Sequence, residues 1–211
     1  MDKQKLLDQL KEKMAEDNLL PLKKGSTQLV FGDGSSNAEI LFIGEGPGYW
    51  EDVKGIPFVG NAGALLNQML AMVKIPRNDV YITNVIHHRP PQNRDPELSE
   101  IKAYEPYLDE IIKIIEPKVI VTLGRFSMAK FLPGVFISSV HGKEKKLSVN
   151  GREVLILPMY HPAAALRNGD VKQKFKMDFE KLPDILEKAR VVKSEKKEVS
   201  KELKAEQMNL I

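Results

Sequence analysis

A glycine-rich stretch with acidic side chains and an aromatic ring is the part of the sequence best suited to chemistry. It spans residues 44–63, reads GEGPGYWEDVKGIPFVGNAG and follows the apolar run 40–43. Glycine lacks a Cβ and proline fixes its own φ, so such a segment can turn sharply and approach another molecule closely. Glu45 and Glu51 place carboxylates in this stretch, and Phe58 places a ring there. We interpret it as a site loop that follows a buried strand.

Two other interpretations of this loop compete with a site. A phosphate-binding loop would end in Gly-Lys-Ser or Gly-Lys-Thr, whereas this loop lacks that ending and its carboxylates would repel phosphate. A tight structural turn without a ligand is the second alternative, and the loop alone leaves it open.

Polar residues also follow two later apolar runs. Asn84 lies toward the end of the β-branched run 80–86, and His161 follows the apolar run 154–157. An amide can donate and accept hydrogen bonds together, and a histidine can donate to developing negative charge. Asn84 could instead cap a strand end, and His161 could instead be a satisfied structural histidine.

The alternation of strand and helix patterns predicts how these residues come together. We expect an α/β fold, a three-layer α/β/α sandwich with a central, mainly parallel four-stranded sheet. Right-handed crossovers bring all the strand ends to one edge, so the loops that carry the polar residues should meet there. The predicted strands are 38–43, 80–86, 119–123 and 154–157, and the predicted helices are 2–16, 61–74, 99–115, 124–132 and 171–188.

Length, charge and cysteine content limit the classes of protein to which the chain can belong. The 211 residues predict one globular domain at 1–188 and a charged, flexible tail at 189–211. No apolar run approaches the twenty or so residues that cross a bilayer, and the amino terminus lacks a signal core, so we expect a cytoplasmic protein without membrane contact. The 32 basic and 29 acidic residues allow a local basic surface for nucleic acid. The chain has no cysteine, which excludes disulfides and thiolate nucleophiles.

In their order along the chain, these motifs resemble the family 4 uracil-DNA glycosylases. The resemblance covers about residues 21–167 and rests on Gly44-Glu45-Gly46-Pro47-Gly48 with Glu51-Asp52, Pro57-Phe58-Val59-Gly60, Asn84, Arg89-Pro90-Pro91 with Asn93-Arg94, and His161-Pro162-Ala163. It implies a DNA repair enzyme that flips uracil out of DNA and hydrolyses its N-glycosidic bond, leaving an abasic site. It also implies that no metal or cofactor acts at the reaction centre.

The resemblance assigns roles to the loop residues. Glu45 would position the attacking water and stabilise the cationic sugar, with Glu51 in a secondary catalytic role. His161 would stabilise the charge that builds on uracil. Phe58 would stack on the flipped base and Asn84 would read its polar edge. The residues expected to bind the substrate are therefore Gly46, Phe58, Asn84 and His161.

DNA contacts outside the base pocket follow from the same resemblance. Leu166 would be an apolar wedge that fills the gap left by the flipped base, and Arg167 would contact a phosphate. Arg89 and Arg94, on the proline-rich loop, are further candidate phosphate contacts, although each alone could be an ordinary surface charge.

The sequence departs from this family at one group of positions. The family holds a four-iron cluster on four cysteines, whereas Asp17, Leu20, His88 and Tyr104 occupy the matching positions here. Leucine and tyrosine cannot replace thiolates, so we predict no cluster and no metal. We expect Leu20 and Tyr104 to pack, and Asp17 to hydrogen-bond with His88 or Tyr104.

Two other functions and one further partner are compatible with the sequence. The chain could be a non-catalytic or covalently trapping binder of uracil-containing DNA that uses His87 or His88, although the basic insert of trapping variants is missing. A nucleotide-binding phosphohydrolase would need a metal site that the histidines do not form. Residues Gln207–Ile211 resemble a peptide that docks on the replicative sliding clamp. We expect a monomer.

Overall fold

A six-stranded sheet lies at the centre of residues 2–191, the part of the chain that the computed structural model describes. Its strand order is β1-β3-β2-β4-β6-β5. The inner strands β3, β2, β4 and β6 are mutually parallel, and β1 and β5 pair antiparallel at the two edges. The strands are β1 (Asp33–Gly34), β2 (Ile40–Gly44), β3 (Tyr81–Asn84), β4 (Val119–Leu123), β5 (Lys145–Val149) and β6 (Arg152–Met159).

Helices cover both faces of this sheet. Short 3-10 turns lie at Lys23–Gly25, Arg77–Asp79 and Pro91–Asn93, and the described chain ends in a helical segment at 182–191. The α-helices are α1 (Lys3–Glu16), α2 (Tyr49–Lys54), α3 (Asn61–Met72), α4 (Leu98–Ile115), α5 (Arg125–Ala129), α6 (Ile137–Val140), α7 (Pro162–Arg167) and α8 (Gly169–Glu180).

Alternation along the inner strands divides the core into two apolar clusters. In β2, Leu41 and Ile43 pack with residues of α1 and α4, while Ile40 and Phe42 pack with residues of α3 and α8. Successive strand side chains point to opposite faces, so a strand that is covered on both sides must be apolar throughout. Each fully buried aliphatic side chain stabilises the fold by about 1.5–3 kcal/mol.

The predicted α/β/α sandwich is confirmed, but the predicted number of strands is wrong. The four parallel strands lie where the apolar runs indicated, and two antiparallel edge strands extend them to six. β1 has only two residues, too few for a sequence pattern. β5 is largely exposed and rich in lysine, so its sequence is typical of a surface segment. It joins the sheet through a hairpin at Asn150–Gly151.

The described residues include the start of the predicted tail but not its end. No helix in the described residues is long and apolar enough to cross a membrane. The helical segment at 182–191 continues past residue 188, and Ala189 in it is buried. The rest of the predicted tail, including the sliding-clamp peptide Gln207–Ile211, lies outside the described residues.

Candidate active site

A cavity of about 610 Å³ lies at the carboxyl edge of the parallel strands. Its walls come from the loops that follow β2, β3, β4 and β6. Glu45 and Phe58 come from the first of these loops, Asn84 ends β3, Arg125 follows β4, and His161 follows β6. The structure therefore brings together four side chains that the sequence singled out, from segments far apart in the chain.

Asn84 presents an unpartnered acceptor in this cavity. The side chain is 1% exposed, and its Oδ1 has no hydrogen-bond partner among the described residues. A Cβ on Gly44 would lie 2.3 Å from that oxygen and 2.6 Å from Cζ of Phe58, so only glycine allows both side chains to approach here. A buried acceptor without a donor is costly, so this oxygen is available to accept a hydrogen bond from a molecule bound in the cavity.

Phe58 is held in place by its own backbone. Its φ is 54°, in the left-handed region that a bulky residue rarely adopts. A Cβ on Gly63 would lie 1.8 Å from the carbonyl oxygen of Phe58, so α3 packs directly on this turn. The ring is 5% exposed, and its centroid lies 5.7 Å from that of His161 at an interplanar angle of 34°. The strain, about 1–3 kcal/mol, is of a kind that clusters at ligand-binding sites.

Glu45 sits in a pocket shaped by the turn after β4. Its Oε1 accepts a hydrogen bond from the backbone N–H of Phe126 at 3.2 Å. Gly124 has a φ of +102°, and a Cβ there would lie 2.3 Å from the same oxygen. Burial raises the pKa of Glu45 above its ordinary value, although the hydrogen bonds from the backbone of residues 125 and 126 oppose that rise.

His161 is a neutral donor whose tautomer the backbone fixes. As the N-cap of α7, it accepts the N–H of Ala163 on Nδ1 at 3.1 Å. Burial lowers the pKa of His161 to about 4, with a smaller contribution from the charge of Arg167. Because Nδ1 accepts, the single proton of the neutral ring resides on Nε2.

Glu51 and Gly46 line the same cavity, in supporting positions. Oε1 of Glu51 accepts the backbone N–H groups of Val59 and Gly60, each at 2.9 Å. It thereby ties α2 to the turn that carries Phe58. A Cβ on Gly46 would lie 2.7 Å from Cγ1 of Ile86, so this position must be small.

The residues predicted to contact DNA differ in availability. Leu166 is 46% exposed on α7, and the neighbouring Arg167 is exposed and lines the cavity. Arg89 donates from Nε to Oδ1 of Asn93 at 2.7 Å. Arg94 instead forms a two-pronged ion pair with Glu100, at 2.8 Å and 2.5 Å, which offsets its charge.

Sequence reasoning missed several side chains that line the cavity. Arg125 pairs with Asp95 at 2.5 Å across its rim. Tyr160 lies next to His161 in the chain, and its ring is 4.7 Å from that of His141. Arg125 comes shortly after the end of β4, and Tyr160 directly follows β6. Their positions after parallel strands could have identified them from the sequence. Ile137, at the start of α6, carries no such signal.

The four positions of the missing cluster form an apolar and hydrogen-bonded contact. Leu20 and Tyr104 are 4% and 0% exposed and belong to one apolar cluster, and Nδ1 of His88 lies 2.9 Å from the hydroxyl of Tyr104. The expected partner of Asp17 is wrong, because Tyr107 donates to it at 2.7 Å from the next turn of α4. These residues do not fit an iron cluster, and the described residues contain no group of metal-ligating side chains.

His87 and His88 lie outside the cavity. They are 0% and 2% exposed, and Nε2 of His87 bonds to Oγ1 of Thr83 at 3.1 Å. Burial lowers the pKa of His87 to about 3 and that of His88 to about 4, so both are neutral at neutral pH. Neither is placed to attack a sugar held in the cavity, which argues against the trapping mechanism.

Comparison with known proteins places the chain in a family. The model of the uracil DNA glycosylase superfamily matches residues 31–183. The Type-4 uracil-DNA glycosylase of Sulfurisphaera tokodaii is 43% identical to this chain, over 85% of this chain and 84% of its own length. That of Archaeoglobus fulgidus is 42% identical, over 85% of this chain and 92% of its own length. A third, of Thermotoga maritima, is 37% identical over 88% of this chain and 97% of its own. The chain therefore belongs to the uracil DNA glycosylase superfamily.

Proposed function

We propose that the protein is a DNA repair glycosylase that hydrolyses the N-glycosidic bond of uracil in DNA and leaves an abasic site. The observation that carries the proposal is the buried, unpartnered Oδ1 of Asn84, in one cavity with Phe58 and His161. The three relatives named above are Type-4 uracil-DNA glycosylases, which supports the same activity.

Recognition of uracil rests on the amide of Asn84. Its oxygen accepts the N3–H of uracil, and its NH₂ group donates to O4. Cytosine presents an acceptor and an amino group at those positions, so both hydrogen bonds would be lost. A site built around hydrogen bonds rejects an analogue that cannot make them by about 10⁴- to 10⁵-fold. The ring of Phe58 packs against the face of the flipped base.

His161 stabilises the departing base. As the bond from C1′ to N1 breaks, its electron pair moves to uracil, and negative charge builds on O2. In this proposal the proton on Nε2 of His161 hydrogen-bonds to O2, and the acceptance of the Ala163 N–H by Nδ1 supports that tautomer. With its pKa lowered to about 4, the ring donates as a neutral group and does not need to transfer its proton.

Glu45 acts on the other side of the breaking bond. Its carboxylate stabilises the cationic sugar and orients a water molecule whose oxygen bonds to C1′, while the released proton leaves through that carboxylate. The N–H of Phe126 fixes one carboxylate oxygen and leaves the second for this role. Glu51 positions the loop that carries Phe58.

A single oligonucleotide experiment tests the proposal. A uracil-bearing strand is incubated with a small amount of protein and then treated with alkali, which cleaves at abasic sites. We expect strand cleavage in many turnovers, and about 10²- to 10³-fold less with His161→Ala. A denaturant-resistant complex of protein and DNA would contradict hydrolysis and indicate a trapping protein. Uncut DNA without such a complex would also contradict the proposal.

A further inference from the structure

Helix α2 exposes an apolar face at the mouth of the cavity. Tyr49 and Trp50 are 52% and 55% exposed, and Val53, one turn later, is 41% exposed. The residues on either side of the aromatic pair, Gly48 and Glu51, line the cavity itself. Large exposed apolar side chains that adjoin one another mark a contact surface more often than single exposed residues do.

The two rings have a fixed arrangement. Their centroids lie 5.1 Å apart, edge to face at 79°. The guanidinium of Arg89 lies 5.2 Å above the ring of Tyr49. Cδ1 of Trp50 lies 3.6 Å from the position that a Cβ on Gly60 would take, so the indole edge rests on the loop of Phe58. The pair is thereby supported from two sides and still half exposed.

We propose that the half-exposed indole of Trp50, supported edge to face by Tyr49, is a stacking platform for the base next to uracil in single-stranded DNA. This inference rests on the proposed function, which places the uracil in the adjoining cavity. Base–aromatic stacking is insensitive to sequence, because every base has a π face. A neighbouring base in a duplex is already paired and stacked, whereas in a single strand its faces are available. The platform therefore selects unpaired substrate.

Charge and continuity favour DNA over a protein partner as the occupant. The surface is continuous with the cavity through Gly48 and Glu51. Arg89, which lies over Tyr49 and donates to Asn93 in the cavity wall, brings a cation to the path that the phosphate between the two nucleotides would take. Aromatic rings with an arginine are the usual composition of single-strand binding surfaces.

Trp50 is the only tryptophan of the chain, so its fluorescence reports from the platform directly. The Glu45→Gln variant is titrated with a strand that carries one uracil among thymines, with the same strand in a duplex, and with an all-thymine strand. We expect both single strands to quench the emission and the duplex to leave it nearly unchanged. Equal quenching by the duplex, or no quenching at all, would overturn the proposal.

Matched variants, made in the same Glu45→Gln background, give a second readout. Trp50→Leu is expected to weaken single-strand binding about 10- to 100-fold, measured by anisotropy of a labelled strand, and to leave duplex affinity unchanged. Trp50→Phe should retain most of that affinity. Leu19→Ala, at an apolar position that is 91% exposed and away from the cavity, is the control and should change nothing.

Two further outcomes distinguish the alternatives. Sedimentation of wild-type and Trp50→Leu protein shows whether the surface joins two copies. A dimer that the substitution dissociates, with unchanged single-strand affinity, would overturn the platform. The all-thymine strand could quench Trp50 although the wild-type protein fails to excise uracil. That result would support the platform and contradict only the proposed function.

Discussion

Burial moves the pKa values of the two reacting groups in opposite directions. It raises the pKa of Glu45 and lowers that of His161 to about 4. Above both values, the cavity holds a carboxylate and a neutral imidazole, the pair of states that the proposed chemistry needs. The protein thus reaches complementary roles through desolvation, with the backbone N–H groups of Phe126 and Ala163 as the fixed donors.

The first prediction concerns the pH dependence of uracil excision. The rate should fall as the pH decreases through the raised pKa of Glu45, because the protonated carboxyl no longer stabilises the cationic sugar. His161, with a pKa of about 4, should stay neutral through that fall. Single-turnover rates across pH should lose this acid limb in Glu45→Gln and keep it in His161→Asn. The opposite pattern would assign the limb to His161.

The second prediction is that Glu45→Gln stabilises the protein although it slows uracil excision. A carboxyl whose folded pKa exceeds its unfolded pKa stabilises the fold fully below the unfolded value and loses that contribution as pH rises through the folded value. Wild-type protein therefore carries a cost at neutral pH that glutamine avoids, and glutamine can still accept from Phe126. We expect a higher Tm for the variant at pH 7.5 and a smaller difference at pH 4.

At the scale of elements, the last residue of β2 must be one without a side chain. A Cβ on Gly44 would collide with Oδ1 of Asn84 and the ring of Phe58, so Gly44→Ala must displace one or both. A misplacement of about 1 Å can cost on the order of 10²-fold in rate, and we expect a loss of that size in kcat/KM. Gly25→Ala, where nothing lies within 4 Å, should leave kcat/KM unchanged.

The contact that replaces the cluster joins the loop after β3 to α4. The hydroxyl of Tyr104 shares a hydrogen bond with Nδ1 of His88 at 2.9 Å and also interacts with the backbone N–H of Leu22, so one buried hydroxyl serves two segments. Tyr104→Phe leaves both partners unsatisfied and should cost about 1–3 kcal/mol in the free energy of unfolding. Tyr107→Phe loses only its bond to the more accessible Asp17 and should cost less. Denaturant unfolding measures both, and equal costs would contradict this view.

At the scale of the whole molecule, the sequence predicted the elements that have a local pattern along the chain. It did not predict the features that depend on contacts between distant residues. The apolar runs of the four parallel strands, and polar residues such as Asn84 at their ends, have local signatures. The two-residue β1 and the helix α2 inside the glycine loop do not. The partner of Asp17 is Tyr107, 90 positions away, and only the packing of α4 against the amino-terminal segment decides that pairing.

The last prediction follows from how the amino-terminal segment is attached to the rest of the molecule. An iron cluster would attach this segment through thiolates. Here Leu20 and Tyr104 pack in the core instead, and hydrogen bonds join Asp17 to Tyr107 and His88 to Tyr104. None of these contacts depends on a metal or on redox state. Treatment with a chelator and an oxidant should therefore leave Tm and uracil excision unchanged, and the untreated protein should show neither stoichiometric iron nor visible absorbance. Iron that co-purifies and lowers Tm when it is removed would show that the segment is held by a metal after all.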